Sequence, residues 1–311
     1  MTEGRHPRPR VLALFGPTAV GKSALAHLAA LTLGGEIVVA DPFQRYRGLE
    51  IAADTPAPIA EPGVRSHMVG DLDLAEASSA GDYAVRAASC VDDVLARGRV
   101  PVVSGGTALY VRAAIAEVGF PSAPDPAIRD EVEARVARDR AGAAAELARL
   151  DPLRAAATDV ENPRRLARAL ELVRMGAPAD SGRLFGGGDR HPTLLVAVVR
   201  PRPVLDARIA ARVARELDEG LVREIESAIA RPDLSRAAAQ VIGVREVRAL
   251  HDGTLTRDGL ADALAARTRR LARRQLAWLR RLPVAATIDL GVRAPESGLP
   301  ELLRLWREPG R

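Results

Sequence analysis

Two residue types are nearly absent from this 311-residue sequence, cysteine and lysine. The single cysteine, Cys90, excludes an intramolecular disulfide and a cysteine-based metal cluster, which fits a protein of a reducing compartment. Long apolar runs are also missing, so we expect no membrane-spanning segment and a cytoplasmic protein. Of the 45 basic residues only Lys22 is a lysine, and arginine occupies every other basic position. The one lysine therefore marks a position that arginine does not fill.

Lys22 lies in a motif typical of phosphate-binding loops. The five apolar residues 11–15 predict a short buried strand, and a helix is predicted over 23–33. Between them, glycines allow the backbone N–H groups to converge on phosphate oxygens, and the helix dipole and the ammonium add positive charge. A compact ammonium fits inside such a ring of amides, where a planar guanidinium does not. The predicted phosphate-binding residues are Gly16, Pro17, Thr18, Ala19, Val20, Gly21, Lys22 and Ser23, the last also a candidate Mg²⁺ ligand.

Two further strands are predicted to end beside this loop. Residues 36–40 form one, followed by Asp41, and residues 100–103 form the other, followed by Ser-Gly-Gly-Thr107. Because ligands bind at the carboxyl ends of the strands in an open parallel sheet, both ends should face the phosphate loop. A carboxylate there suits water-mediated Mg²⁺ binding, a general base, or the cap of a turn before Pro42. The residues alone leave these three roles for Asp41 open.

A change of composition marks an insertion. The proline-rich segment 121–126 is a boundary signal, and residues 127–175, rich in Ala, Arg, Glu and Leu, predict several helices. A glycine-rich return is predicted over 176–192. Within this part, segment 162–171 places arginines on one helix face through their three- and four-residue spacing. We therefore predict a helical insertion domain, residues 122–190.

The segments on either side form the predicted core. Residues 193–199 resume the sheet, and one long helix carrying Arg208 and Arg212 one turn apart is predicted over 205–230. The fold class is therefore α/β, with a parallel sheet core like that of the P-loop NTPases, made of residues 1–121 and 191–311.

The strongest basic feature of the chain is residues 267–281, with seven arginines and no acid. Leu264, Leu271 and Trp278 recur every seven residues, which predicts an amphipathic helix with an apolar stripe. Gln275 falls inside that stripe, which is unusual for packing alone. Since acids usually balance a solvated arginine face, their absence favours a polyanion such as nucleic acid as the partner.

Taken in chain order, these motifs resemble those of the tRNA dimethylallyltransferases, which prenylate the exocyclic amine of the adenosine 3′ of the anticodon. The likeness extends over about residues 11–281. A phosphate loop alone is shared by many unrelated nucleotide- and ATP-binding proteins, whereas this combination and order of motifs is specific. The matching segments are Gly16–Ser23, Asp41 with Gln44 and Tyr46, Gly105–Tyr110, Asn162–Glu171, Ile242-Gly243 and Arg273–Arg280.

The resemblance implies a donor site and a reaction. The phosphate loop would hold the diphosphate of dimethylallyl diphosphate, with Lys22 and Arg212 neutralising its charge and Mg²⁺ bound near Ser23. Asp41 would take the proton from the adenine amine as it attacks the allylic carbon, and Thr107 would help to position the site.

The resemblance also implies a tRNA-binding surface. The insertion and the basic helix would hold the anticodon stem-loop through its phosphates, and the adenine would leave its stack to reach the site. We expect the enzyme to act as a monomer. The residues implied in tRNA binding are Pro42, Phe43, Gln44, Arg164, Arg165, Arg168, Gln240, Gly243, Arg245, Arg273, Arg274, Gln275, Trp278 and Arg280.

Two other functions remain open at the level of sequence. A P-loop kinase or nucleotide hydrolase would use the arginines as phosphate clamps, but it leaves the arginine helix with Gln275 unexplained. An RNA-binding protein with a degenerate phosphate loop is a third hypothesis, against which the intact Gly21-Lys22-Ser23 argues.

The sequence departs from the family pattern mainly after Asp41. Pro42 and Phe43 follow it where the family usually has a serine, and residues 52–56 read Ala-Ala-Asp-Thr-Pro in place of a Gly-Thr-x-Lys-Pro run. The segment should contact the unstacked base, so recognition of the base is where we expect this chain to differ.

Overall fold

The computed structural model describes residues 10–55, 63–117, 119–121, 124–177 and 188–308. The chain forms two compact units: an α/β core, Met1–Glu117 with Gly187–Arg311, and a helical unit, Val118–Gly186. The helical unit thus begins at 118 rather than the expected 122, and ends at 186 rather than 190.

The core is built on a six-stranded sheet in which every strand is parallel to its neighbours. The strands are β1 (Val11–Phe15), β2 (Glu36–Val39), β3 (Ser66–His67), β4 (Pro101–Gly105), β5 (Thr193–Val199) and β6 (Ala286–Asp289). Their order across the sheet is β3-β2-β4-β1-β5-β6. β1 therefore lies inside the sheet, and all of its residues are buried. The loop that follows β1 emerges at the middle of the carboxyl edge.

Twelve α-helices complete the part of the chain that the structure describes. They are α1 (Lys22–Leu33), α2 (Ala80–Ala96), α3 (Ala108–Ile115), α4 (Pro126–Arg138), α5 (Arg140–Leu150), α6 (Pro152–Ala157), α7 (Pro163–Arg174), α8 (Arg202–Glu219), α9 (Leu221–Ile229), α10 (Val244–His251), α11 (Arg257–Leu279) and α12 (Leu299–Arg307). Short 3₁₀ turns occur at Ala238–Gln240 and Pro295–Gly298.

One apolar core joins the sheet to the helices that carry the site. It includes Leu14 of β1, Leu25 of α1, Val196 of β5, Ile209 of α8 and Leu264 of α11, all of them buried. β1 and the interior of β5 are continuous apolar runs because both faces of a parallel sheet are covered there. Since α1, α8 and α11 pack on this shared core, their polar residues are held in fixed positions at the edge of the sheet.

The helical unit, α4 to α7, has its own small apolar core between α4, α5 and α7. Each of its helices begins at a short polar side chain that accepts a hydrogen bond from a backbone N–H of the first turn, which satisfies an otherwise unpaired donor. These caps are Asp125, Asp139, Asp151 and Asn162.

Most of the predicted core elements are confirmed, including the strands before the phosphate loop and before Asp41. The long helix predicted over 205–230 was wrong: the chain divides at Gly220, whose φ of 104° ends α8 and starts α9. Strand β3 was missed because its two residues are too short to show a pattern. Of the predicted return 176–192, residues 178–187 lie outside the described part of the chain.

The chain leaves the core and re-enters it at two paired segments, residues 116–117 and 188–189, which we call the neck. Ala116 pairs antiparallel with Asp189, and the Glu117 amide donates to the Gly188 carbonyl oxygen at 3.0 Å. The Arg112 guanidinium, almost fully buried, forms an ion pair of 2.7 Å with Asp189. The two ends of the inserted segment are therefore tied together within the core itself.

We expect Gly105→Ala to destabilise the core by about 1–3 kcal/mol, the usual cost of overpacking. A Cβ at Gly105 would collide with the carbonyl oxygen of Ala40 in the neighbouring strand, next to Asp41. Thermal unfolding measures the change. Gly119→Ala is the matched control, since a Cβ there meets no atom within 4 Å; equal melting temperatures for the two variants would contradict the prediction.

Candidate active site

The phosphate loop lies at the carboxyl end of β1, and two of its glycines leave no room for a Cβ. A Cβ at Gly16 would lie 2.5 Å from the Val198 carbonyl oxygen of β5, and one at Gly21 would lie 2.8 Å from Cγ of Pro295. Ala19 and Gly21 have φ of 62° and 101°, in the left-handed region. Left-handed positions of this kind occur in loops whose backbone N–H groups form anion-binding concavities.

A cavity of about 150 Å³ opens beside the loop and gathers residues from both halves of the core. It combines cations, carboxylates and an apolar wall. Its lining consists of Thr18, Ala19, Gly21, Lys22, Ser23, Ala24, Asp41, Phe43, Gln44, Ala52, Ala53, Asp54, Arg208, Arg212, Val241, Ile242, Leu271 and Gln275.

Asp41 lies in this cavity, at the end of β2. Its Oδ1 accepts a hydrogen bond of 2.9 Å from the amide of Phe43, which fixes the turn after the strand. The turn role that the sequence left open is therefore real, but it uses one lone-pair site of one oxygen. The other acceptor sites of the two carboxylate oxygens are available in the cavity.

Two arginines of α8 hold the phosphate loop from the side. The Arg208 Nε donates to the carbonyl oxygen of Ala19 at 2.8 Å, and the Arg212 Nη1 donates to the Thr18 hydroxyl at 2.6 Å. Nε of Arg212 also donates to Glu216 at 2.6 Å, which aligns the guanidinium. Burial raises the pKa of the Glu216 carboxyl, although Arg212 opposes that shift.

Gln275 connects the basic helix α11 to the phosphate loop. Its Oε1 accepts a hydrogen bond of 2.8 Å from the Thr18 amide, and the side chain is almost fully buried. A Cβ at Gly106 would collide with Nε2 of Gln275, so the glycine leaves room for the amide. The polar residue in the apolar stripe thus has a structural partner, the N–H group of Thr18.

The environment of Lys22 suits an anion. Desolvation lowers the pKa of Lys22, the charge of Arg212 lowers it further, and only Asp41 and Asp54 oppose the shift. A cation in such surroundings is stabilised by a negatively charged ligand more strongly than a surface lysine would be.

Arg200, which follows β5, supports the loop from behind. Nε donates to the carbonyl oxygen of Val20 at 2.7 Å, and Nη1 donates to the carbonyl oxygens of Gly291 and Arg293 at 2.8 Å each. The side chain is buried, and burial lowers its pKa. Arg200 thereby ties the phosphate loop to the segment after β6.

The cavity brings together much of the set predicted from sequence: Thr18, Ala19, Gly21, Lys22, Ser23, Asp41, Phe43, Gln44, Arg212 and Gln275. Gly16, Pro17 and Val20 complete the loop behind this lining. Thr107 caps the start of α3 directly after Gly106, outside the lining. Three predicted tRNA contacts, Arg164, Arg165 and Arg168, belong to α7 of the helical unit.

The cavity also contains eight residues outside the predicted site set: Ala24, Ala52, Ala53, Asp54, Arg208, Val241, Ile242 and Leu271. Arg208 was predicted one turn before Arg212 on the same helix, but it was not assigned to the site. Asp54 lies in residues 52–56, where the sequence departs from the pattern of the resembled family.

The basic helix α11 presents an arginine face to solvent. Arg270, Arg273, Arg274 and Arg280 are exposed, and no ion pair joins them to an acid within the described residues. Arg281 stacks on the ring of Trp278 at 5.4 Å, whereas Arg267 is tied to Glu246 at 2.8 Å. We call Arg270, Arg273, Arg274 and Arg280 the arginine face.

The predicted tRNA contacts around α10 have structural roles. The Gln240 carbonyl oxygen accepts from Arg267, and Gly243, with φ of 111°, precedes α10 and donates its N–H to Glu246. Arg245 is exposed on the first turn of α10.

None of the helices in the described part of the chain has both the length and the apolar character needed to cross a membrane.

The sequence of the chain matches a family model described as IPP transferase over residues 44–282. The chain belongs to the IPP transferase family. Among its relatives is a tRNA dimethylallyltransferase of Streptomyces avermitilis, 37% identical over 298 residues that cover 95% of each protein. The corresponding protein of Streptomyces coelicolor is 38% identical over the same length and coverage.

Solved structures place the fold in the same family. The full-length tRNA isopentenylpyrophosphate transferase of Bacillus halodurans superposes with a TM-score of 0.70 and 29% identity, covering 96% of this chain and 95% of that one. A eukaryotic dimethylallyltransferase acting on tRNA, at 21% identity, superposes with a TM-score of 0.75 over 93% of this chain and 75% of that one, a likeness of fold alone. The P-loop NTPase-like core expected from the sequence is therefore the fold of an IPP transferase.

Proposed function

We propose that this protein transfers the dimethylallyl group of dimethylallyl diphosphate to the N6 amine of the adenosine 3′ of the anticodon in tRNA, releasing diphosphate. The observation that carries the proposal is the shared cavity, where the Asp41 carboxylate lies with Lys22 of the phosphate loop and Arg212. One group suits a proton acceptor and the others suit a diphosphate leaving group. The family membership of the chain supports the same reaction.

The donor diphosphate binds at the phosphate loop. N–H groups of Gly21 to Ser23, the start of α1 and the Lys22 ammonium all direct positive charge to one place. Arg212 reaches the same cavity from α8. These cations neutralise the charge that develops on the diphosphate as the allylic carbon–oxygen bond breaks, which makes it a better leaving group.

Mg²⁺ fits the Ser23 hydroxyl, an oxygen donor that lines the cavity beside Lys22. In proteins Mg²⁺ is typically held by one or two protein oxygens together with phosphate oxygens. When bound, it supplies further positive charge to the diphosphate.

Asp41 acts as the general base. The exocyclic amine is a weak nucleophile, and it becomes a better one as a placed carboxylate accepts its proton during attack on the allylic carbon. The adenine is unstacked to enter the cavity, where Phe43, Ile242 and Leu271 supply apolar wall. Thr107, at the N-cap position of α3, helps to position the site.

The arginine face of α11 binds the phosphates of the anticodon stem-loop. It lies on the helix whose Gln275 holds the Thr18 amide, so the RNA-binding helix and the donor loop are fixed in one frame. Arginines of the insertion, Arg164, Arg165 and Arg168, add a second set of phosphate contacts. The protein acts on tRNA in the cytoplasm, and it does so as a monomer.

Incubation of the purified protein with Mg²⁺, dimethylallyl diphosphate and unmodified tRNA tests the proposal, with nucleosides read by mass spectrometry. We expect one prenylated adenosine per tRNA, lost when the adenosine 3′ of the anticodon is replaced. The absence of product together with turnover of ATP would favour the kinase or hydrolase hypothesis. The absence of product with tight tRNA binding would favour a pure RNA-binding protein.

Arg273→Gln and Arg274→Gln should each weaken tRNA binding without regard to sequence and reduce the salt dependence, the slope of log K against log salt, by about 1. Both side chains are exposed on the arginine face. Arg304→Gln, which removes an exposed arginine of α12, is the matched control. Filter binding at several salt concentrations measures the slopes; equal slopes for the wild type and the α11 variants would contradict phosphate contact.

A further inference from the structure

Asp54 contributes a second carboxylate to the cavity, and this carboxylate is bound to the diphosphate-binding arginine. Its Oδ2 lies 3.0 Å from Nη1 of Arg212, and its Oδ1 lies 2.7 Å from Nη2 of Arg215. The hydrogen bond to Asp54 is the main reason for the raised pKa of Arg215. An anionic side chain thus occupies the place toward which the donor site directs positive charge.

The loop that carries Asp54 is held in place by side chains from other elements. Nε2 of Gln44 donates to the carbonyl oxygen of Asp54 at 2.9 Å, and the Glu224 carboxylate accepts from the amides of Ile51 and Ala52 at 2.8 Å each. Asp54 itself has φ of 48°, a left-handed conformation that aspartate tolerates better than most residues. The position of the carboxylate is therefore set by the backbone.

Nη1 of Arg212 has both of its N–H groups engaged by protein in this arrangement. Nε of Arg212 pairs with Glu216 at 2.6 Å, while Nη1 is shared between the hydroxyl of Thr18 at 2.6 Å and Asp54 at 3.0 Å. The Arg212 side chain is only 15% exposed. A diphosphate oxygen that approaches Nη1 meets the Asp54 carboxylate already there and is repelled by it.

We propose that Asp54 is an affinity-determining residue of the donor site, a carboxylate that competes with diphosphate for Arg212. Binding of a diphosphate transfers Nη1 of Arg212 from Asp54 to a phosphate oxygen, and Asp54 keeps its bond to Arg215. The competition weakens binding of both donor and diphosphate product, so it favours product release. This inference rests on the proposed place of the diphosphate at the phosphate loop.

Titration of inorganic diphosphate into the wild type and Asp54→Asn, in the presence of Mg²⁺ and without tRNA, tests the inference by calorimetry. Asparagine keeps the size and one acceptor of the side chain but removes its charge. We expect the variant to bind diphosphate roughly three- to tenfold more tightly, as for the loss of one half-exposed charge pair. In steady-state kinetics the KM for the donor should fall.

Two controls separate competition at Arg212 from a general change of charge. Asp218→Asn removes an exposed carboxylate from the same helix and should leave the affinity unchanged. In an Arg212→Gln background, Asp54→Asn should no longer tighten binding, because the shared partner is gone. An unchanged or weaker affinity of Asp54→Asn, or equal tightening in the Arg212→Gln background, would overturn the inference while leaving the diphosphate site in place. A wild type that binds no diphosphate would overturn both.

Discussion

Asp41→Asn should lower the rate of prenyl transfer by about 10²–10⁴-fold, the usual contribution of a general base, and leave tRNA affinity unchanged. The side chain faces the cavity and keeps its Oδ1 bond to the Phe43 amide, which an asparagine oxygen can also accept. The variant therefore preserves the turn and loses only the basic group. Single-turnover transfer with saturating tRNA measures the chemical step directly.

Asp218→Asn, on the exposed face of α8, controls for a change in net charge. A variant of Asp41 that retains the wild-type rate would assign proton removal to another group or to solvent. A variant that loses tRNA binding as well as rate would instead make Asp41 a residue that orients the RNA.

Lys22→Met should reduce kcat/KM for the donor by about 10²–10³-fold, comparable to the removal of one preorganised charged donor from a reacting group. Arginine is not an alternative at this position, because the ring of amides between Gly16 and Ser23 accommodates a compact ammonium. Calorimetry with inorganic diphosphate gives the binding part of the loss. Arg304→Gln on α12 is a control for the removal of a positive charge, and equal losses in the two variants would contradict a specific site.

The same substitution should not destabilise the protein. Burial lowers the pKa of Lys22, so the folded state disfavours the charged form relative to the unfolded state, and stability rises as the pH increases through that lowered pKa. At neutral pH the charged lysine therefore costs stability, and Lys22→Met should melt at the same temperature or higher. Diphosphate affinity has the opposite pH dependence: it should be lost as the pH rises through the lowered pKa in the wild type, and this loss should be absent in Lys22→Met.

The parts of the site that could be predicted from sequence are those written in consecutive residues or in helical spacing. The phosphate loop is one uninterrupted motif between a strand and a helix, and Asp41 follows directly from its place at the end of β2. Gln275 could be predicted because a polar residue inside an apolar stripe breaks the pattern. Its hydrogen bond with the Thr18 amide explains the exception.

The rest of the site depends on contacts between residues far apart in sequence, which local sequence patterns do not reveal. Asp54 contacts Arg215 across 161 positions of sequence, and no spacing rule connects a loop residue with a helix so distant. The break at Gly220 was missed because the apolar periodicity continues from α8 into α9, while the direction of the helix is decided by one left-handed glycine. Arg200 gave no signal, since its partners are backbone carbonyl oxygens that every residue offers.

The neck between Ala116 and Asp189 bears on how this architecture tolerates change over evolution. β1 pairs with β5 across a segment that contains the whole helical unit, which lengthens the connecting chain by less than twofold. A doubling of a flexible connection costs only about 0.6 kcal/mol of closure entropy, and here the two ends are already joined by the Glu117–Gly188 hydrogen bond. The stability of the core therefore depends little on the length of the segment inserted between Glu117 and Gly188. The helical unit can be shortened, enlarged or exchanged between relatives without any change to the strands that carry the chemistry.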